Sequence, residues 1–106
     1  MIIVENKKEL IGFIKQRIKE QGPKCDLNDI DVSKVTDMSH LFYWSKFNGD
    51  ISKWDVSKVE GMNGMFNNSL FNDDISKWDV SNVEDMYCMF YNSPLSGREP
   101  KWYRPW

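Results

Sequence analysis

Apolar residues recur along this chain in one spacing, written three times. Between Ile51 and Phe66 they stand at Ile51, Trp54, Val56, Val59, Met62, Met65 and Phe66. Moving 24 positions on gives Ile75, Trp78, Val80, Val83, Met86, Met89 and Phe90. Moving 24 positions back gives Leu27, Ile30, Val32, Val35, Met38, Leu41 and Phe42, a more diverged copy. The first places of each copy read apolar-x-x-apolar-x-apolar-x-x-apolar, the spacing of a leucine-rich repeat with Val in the Asn place. The alternation at its centre predicts a short strand, with Trp54 and Val56 facing inward and Asp55 outward. Val59, Met62, Met65 and Phe66 then recur at a helical period and predict a short helix. The return segments YWSKFNGD and NNSLFNDD are rich in turn formers, with Phe47 and Phe71 tucked inside. The expected fold is therefore α/β, a short leucine-rich-repeat-like solenoid of three 24-residue coils.

Such coils need covers at both ends. At the front, Asn6 to Glu9 resembles a capping box, with Asn6 as N-cap and Glu9 at the third helical place. Leu10, Ile11, Ile14 and Ile18 share one face, Phe13 lies at its margin, and Gly22 with Pro23 ends the helix. At the back, Trp102, Tyr103 and Trp106 are expected to fold over the Ile75 copy. The chain reads as a single domain over 1–106, with an N-terminal helical cap (1–24), three repeats (25–93) and an aromatic C-terminal cap (94–106).

The string D-I-S-K-W-D-V-S-x-V-x-x-M-x-x-M-F, as in FNGDISKWDVS (Phe47–Ser57), resembles the BspA-like leucine-rich-repeat family of bacterial surface proteins. That resemblance spans residues 27–93. It implies a solenoid of bacterial or bacteriophage origin and a binding role, adhesion in the long secreted members.

Charge narrows the choice of partner. The net charge is −2, made of +3 in residues 1–24, −7 in residues 25–93 and +2 in residues 94–106. An acidic body repels phosphate, so nucleic acid is not the expected partner. No stretch approaches the roughly 18 apolar residues of a membrane span. The start MIIVENKKEL lacks the basic region and apolar run of a secretory signal, so the expected location is cytoplasmic. In that compartment Cys25 and Cys88 are expected to be free thiols.

Candidate chemistry is sparse. His40, the single histidine, shares a column with Gly64 and Cys88. At strand spacing His40 and Cys88 are on the order of 10 Å apart. Zinc needs ligands within about 2.3 Å of one ion, and a Cys–His pair needs hydrogen-bond contact. No glycine loop cradles phosphate. The expectation is a chain that is no enzyme, with no catalytic residue, no metal and no cofactor.

Two sets of residues are candidate partner-binding positions. Asp31, Asp55 and Asp79 occupy the outward strand place and form an acidic ladder at roughly 4.8 Å spacing. Lys53 and Lys77 stand two places earlier on the same side. This row is either a recognition stripe or structural, each Asp accepting N–H groups of the adjacent turn or pairing with a Lys; the two readings are compatible. Tyr43, Trp44 and Tyr91 follow the helix motif, where the middle copy has Asn67 and Asn68. Variable aromatics at an edge are candidate hot spots, or else Trp44 packs on the first copy.

The expected function is a non-catalytic protein-binding module of bacterial or phage origin, a monomer whose partner is another protein with a basic surface. A narrower form is an inhibitor of a host defence enzyme such as a CRISPR nuclease, guided by electrostatic steering. The alternative is a fragment-like surface or adhesin repeat protein with a structural or cell-attachment role.

Overall fold

The computed structural model describes residues 1–105. The expectation for Trp106 lies outside these residues. The chain begins with strand β1 (Ile2–Ile3), continues into helix α1 (Lys7–Gln21) and then strand β2 (Ile30–Asp31). β1 and β2 pair in parallel, Ile2 opposite Ile30 and Ile3 opposite Asp31.

Helix α1 forms where its caps place it. The Asn6 side chain accepts the N–H of Glu9 at 3.0 Å, and the Glu9 carboxylate accepts the N–H of Glu5 rather than that of Asn6. Gly22 ends the helix at φ 87°, donating its N–H to the Ile18 carbonyl, a conformation that suits a residue without Cβ. Leu10 and Ile14 enter the core, and Ile11 and Ile18 pack partly against it. Lys7 pairs with Asp37 at 3.1 Å, and Arg17 grips both oxygens of Asp29 at 2.8 and 3.0 Å. These contacts pin the helix to the segments that follow.

The α/β solenoid of three strand-and-helix coils is not what forms. Among the described residues there is one helix and one two-stranded sheet. The predicted strand at Trp54–Val56 and its Trp78–Val80 match are irregular chain between turns. Asp31, Asp55 and Asp79 each accept the N–H two residues on, from Ser33, Ser57 and Ser81 at 2.9, 3.0 and 3.1 Å. Such Asx turns end an extended segment within two residues. Ile30–Asp31 is a strand all the same because β1 lies beside it; among the described residues no strand lies beside Trp54–Val56 or Trp78–Val80. On either side, tight turns close from Trp54 N–H to the Ile51 carbonyl and from Val59 N–H to the Val56 carbonyl.

The predicted helix at Val59–Phe66 is also absent. Residues at two-residue intervals send their N–H groups across to another part of the chain. Met38, His40, Phe42 and Trp44 donate to the carbonyls of Gly61, Asn63, Met65 and Asn67. Met62, Gly64, Phe66 and Asn68 donate in turn to Asp85, Tyr87, Met89 and Tyr91. The N–H groups of Leu41, Tyr43 and Ser45 close four-residue turns instead, on Met38, His40 and Phe42. Left-handed residues break any helix: His40, Gly64 and Cys88 have φ of 57°, 64° and 55°, and Trp44, Asn68 and Asn92 have φ of 55°, 56° and 52°.

The core beneath is aromatic. Phe42, Phe66 and Phe90 stack with centroids 5.5 and 5.6 Å apart. Trp54, Trp78 and Trp102 stack at 6.4 and 6.3 Å, and Phe47 lies on Phe71 at 6.1 Å. Each indole N–H reaches a carbonyl: Trp54 to Leu27, Trp78 to Ile51 and Trp102 to Ile75, at 2.9, 3.1 and 3.0 Å. Offset pairs of this kind contribute about 0.5–1.5 kcal/mol each beyond the area they bury. Trp102 thus continues the tryptophan stack, and Tyr103 packs edge-on to Phe90 at 5.0 Å.

Candidate functional site

The surface divides by charge. Residues 26–37, 50–61 and 74–85 together hold eleven acidic and four basic side chains. Residues 38–49, 62–73 and 86–97 hold one of each, Asp73 and Lys46. The net −7 of the body therefore sits entirely in the first set of stretches.

Asp31, Asp55 and Asp79 fall in the acidic set. Asp55 and Asp79 are exposed and Asp31 half-buried. The Ser57 and Ser81 hydroxyls add bonds of 2.6 Å to the same carboxylate oxygens of Asp55 and Asp79. These contacts hold the carboxyls of Asp55 and Asp79 below the usual range, and hydrogen bonding from Ser33 does the same for Asp31. The aspartates are thus turn caps, and their side chains are also fixed in direction.

Lys53 and Lys77 are exposed and line a cleft of about 240 Å³ with Ser52 and Asp74. Among the described residues neither forms an ion pair. Lys34 pairs with Glu5 at 3.3 Å, not with Asp31. A further row of aspartates that the sequence reading passed over includes Asp74 of this cleft. Asp26, Asp50 and Asp74 cap turns on Asn28, Ser52 and Ser76 at 2.8, 2.9 and 2.9 Å. The D-x-[SN] spacing shared by both rows was the available signal.

Tyr43, Trp44 and Tyr91 belong to the stretches that carry only Asp73 and Lys46, and among the described residues no hydrogen bond joins them to Asp31, Asp55 or Asp79. They are 50%, 66% and 63% exposed, which places the Trp44 ring outside the core. His40, Tyr43 and Trp44 form an edge-to-face run with centroids 5.5 and 6.3 Å apart. Tyr87, also missed, is 69% exposed and shares a cleft of about 290 Å³ with Tyr91 and Tyr103. It occupies the outward place matched by Ser39 and Asn63. A methyl group on Gly64 would stand 2.6 Å from the His40 imidazole, so that ring lies across Gly64. Cys25 and Cys88 are free thiols, Cys25 buried and pushed above its ordinary pKa by that burial. Among the described residues no helix is long and apolar enough to cross a membrane.

Against known proteins, a family model described as Mycoplasma protein of unknown function, DUF285, matches residues 13–101. No curated protein and no solved structure matches the chain.

Proposed function

The chain belongs to the DUF285 family, and on that premise we propose that it is a non-catalytic module that binds another protein through its acidic stretches. That family is described as of unknown function, so the reading rests on the chain's own surface. One observation carries it: eleven carboxylates against four cations are gathered in residues 26–37, 50–61 and 74–85, and six of the carboxylates are oriented by turn hydrogen bonds at Asp26, Asp31, Asp50, Asp55, Asp74 and Asp79. Charges already fixed in direction lose little freedom on binding. They steer a basic partner and set its register more than they add raw affinity. The partner that fits is a protein with a basic face. In a bacterial or phage setting, a host defence enzyme such as a CRISPR nuclease offers one, and the chain then acts as its inhibitor.

The test is affinity capture with tagged chain from bacterial lysate at low and high salt, read by mass spectrometry. The expected result is one dominant partner that weakens with salt and with Asp55→Asn plus Asp79→Asn. Asn keeps a side-chain oxygen for the turn while removing the charge. Capture indifferent to salt and to both substitutions would sink the reading. Attachment to whole cells or self-association in its place would favour the adhesive role.

A further inference from the structure

In a chain that is 28% charged, the stretches 38–49, 62–73 and 86–97 are nearly charge-free without being apolar. Their outward places are aromatic in the first and third stretches, with Tyr43 and Trp44 on one side and Tyr87 and Tyr91 on the other. In the middle stretch they carry the amides Asn67 and Asn68. The amides form a chain: Asn92 Nδ2 donates to Asn68 Oδ1, and Asn68 Nδ2 donates to Asn67 Oδ1. Among the described residues this leaves Asn67 Nδ2 free to donate at one end and Asn92 Oδ1 free to accept at the other. Gly64, with His40 across it, puts no side chain of its own beside these amides.

We propose that this side of the protein binds a neutral oligosaccharide. A sugar ring presents a C–H face that packs on the electron-rich face of Tyr or Trp. Its hydroxyls both donate and accept, and so do the two ends of the amide chain. Tyr43, Asn67 and Tyr91 are matched positions on three stretches joined by backbone hydrogen bonds, so Tyr43 and Tyr91 stand on the order of 10 Å apart at the spacing of hydrogen-bonded neighbours, which leaves space for a ring between the aromatic pairs. The cleft of about 290 Å³ at Tyr87 and Tyr91 extends that space; its charged lining residue, Glu99, is half-buried and accepts the Gly97 N–H at 2.9 Å.

Other ligand classes fit less well. A nucleic acid requires cations against its phosphates, and these stretches offer Lys46 alone. A peptide that adds as a strand requires free backbone groups, and here the N–H groups of Phe42 and Phe66 are spent on Met65 and Met89. This inference concerns the aromatic and amide side chains, not the six turn aspartates, and stands or falls separately.

Native gel electrophoresis through embedded neutral polysaccharides (hydroxyethyl cellulose, glycol chitin and galactomannan), with heparin as the anionic comparison, tests it. The expected result is retardation by at least one neutral polymer, unchanged at high salt and unchanged in Asp55→Asn. Trp44→Asn and Tyr91→Asn should each weaken retardation about tenfold. Both install the residue found at the matched places, Asn68 and Asn67, and Asn tolerates the left-handed backbone at position 44. An unchanged thermal midpoint in each variant separates lost binding from lost folding. Three results would overturn the proposal: no retardation by any neutral polymer, full retardation in a variant carrying both Trp44→Asn and Tyr91→Asn, or retardation by heparin alone that salt abolishes.

Discussion

Trp78 is the side chain on which most of the packing converges. It lies between Trp54 and Trp102, 6.4 and 6.3 Å from their ring centres, also meets Phe66 at 6.4 Å, and is 5% exposed. Its indole N–H satisfies the Ile51 carbonyl at 3.1 Å. Trp78→Ala removes the ring from a stack that has neighbours on both sides, so the gap cannot close by movement of one flank. Truncation of a buried aromatic costs about 3–5 kcal/mol, and this site belongs in the upper part of that range. Part of the loss is the orphaned carbonyl, about 1–3 kcal/mol where water does not reach it. Trp78→Phe isolates that part, because it keeps most of the ring and removes the donor. Small domains hold about 5–15 kcal/mol in total, so the Ala variant should be marginal at room temperature. Urea unfolding followed by far-ultraviolet circular dichroism measures each loss, provided the slopes agree. The neighbouring Lys77→Ala, on the exposed side, should cost less than about 0.5 kcal/mol. Equal midpoint shifts for Trp78→Ala and Lys77→Ala would refute the packing argument, and a Trp78→Phe midpoint equal to wild type would remove the indole bond from it.

Gly64→Ala should destabilise by more than about 1 kcal/mol, since its φ of 64° disfavours a Cβ and the new methyl meets the His40 ring. Adding His40→Ala should recover part of the loss, and a strictly additive pair in a double-mutant cycle would show that the ring contact is immaterial. Gly49→Ala should abolish soluble folding, because its Cβ would stand 1.8 Å from the Cys25 carbonyl oxygen; Gly61→Ala, whose nearest contacts are 3.6 and 3.7 Å, should express normally. The carboxyls of Asp55 and Asp79 are lowered in the folded state by Ser57 and Ser81. Their contribution is therefore complete above the unfolded value of about 3.9 and is lost as pH falls through the folded value. Urea midpoints should drop between neutral pH and pH 3 or so, with a shallower drop in Asp55→Ala; a midpoint that rises on acidification would contradict the sign.

The buried set and the capped N-terminal helix were legible in the sequence, and the backbone path of the second and third copies was not. Period and apolarity select which side chains go inside, and Trp54, Val56, Val59, Met62, Met65 and Phe66 are all buried. They do not select how the backbone gets from one to the next. A spacing of three between Val59, Met62 and Met65 suits a helix, and it also suits successive four-residue turns whose intervening N–H groups bond elsewhere. The deciding signals were polar and local. Aspartate two places before serine reads as a turn cap as readily as an outward strand residue, and glycine or asparagine at Gly64, Asn68 and Asn92 permits the positive φ that a helix forbids. His40, Trp44 and Cys88 hide the same conformation behind residues that rarely adopt it.

The candidate site was half legible for a related reason. The aspartates and the aromatics were both visible as outward places, yet grouping them as one binding surface required knowing how each stretch bends. A strand followed by a helix presents one continuous outer face. Turns at Asp31, Asp55 and Asp79, followed by rungs from residues 36–44 to 60–68 and on to 84–92, divide it. A net charge of −3 then falls before the rungs and −4 on their first places, at Asp37, Glu60, Glu84 and Asp85, whereas all four exposed large aromatics of the matched stretches fall further along them. Two surfaces of such different chemistry call for separate perturbations. Charge reversals at the aspartates test only the first, and substitutions at Trp44 and Tyr91 test only the second. A partner whose capture responded to both sets would have to span the rungs as well as the turns.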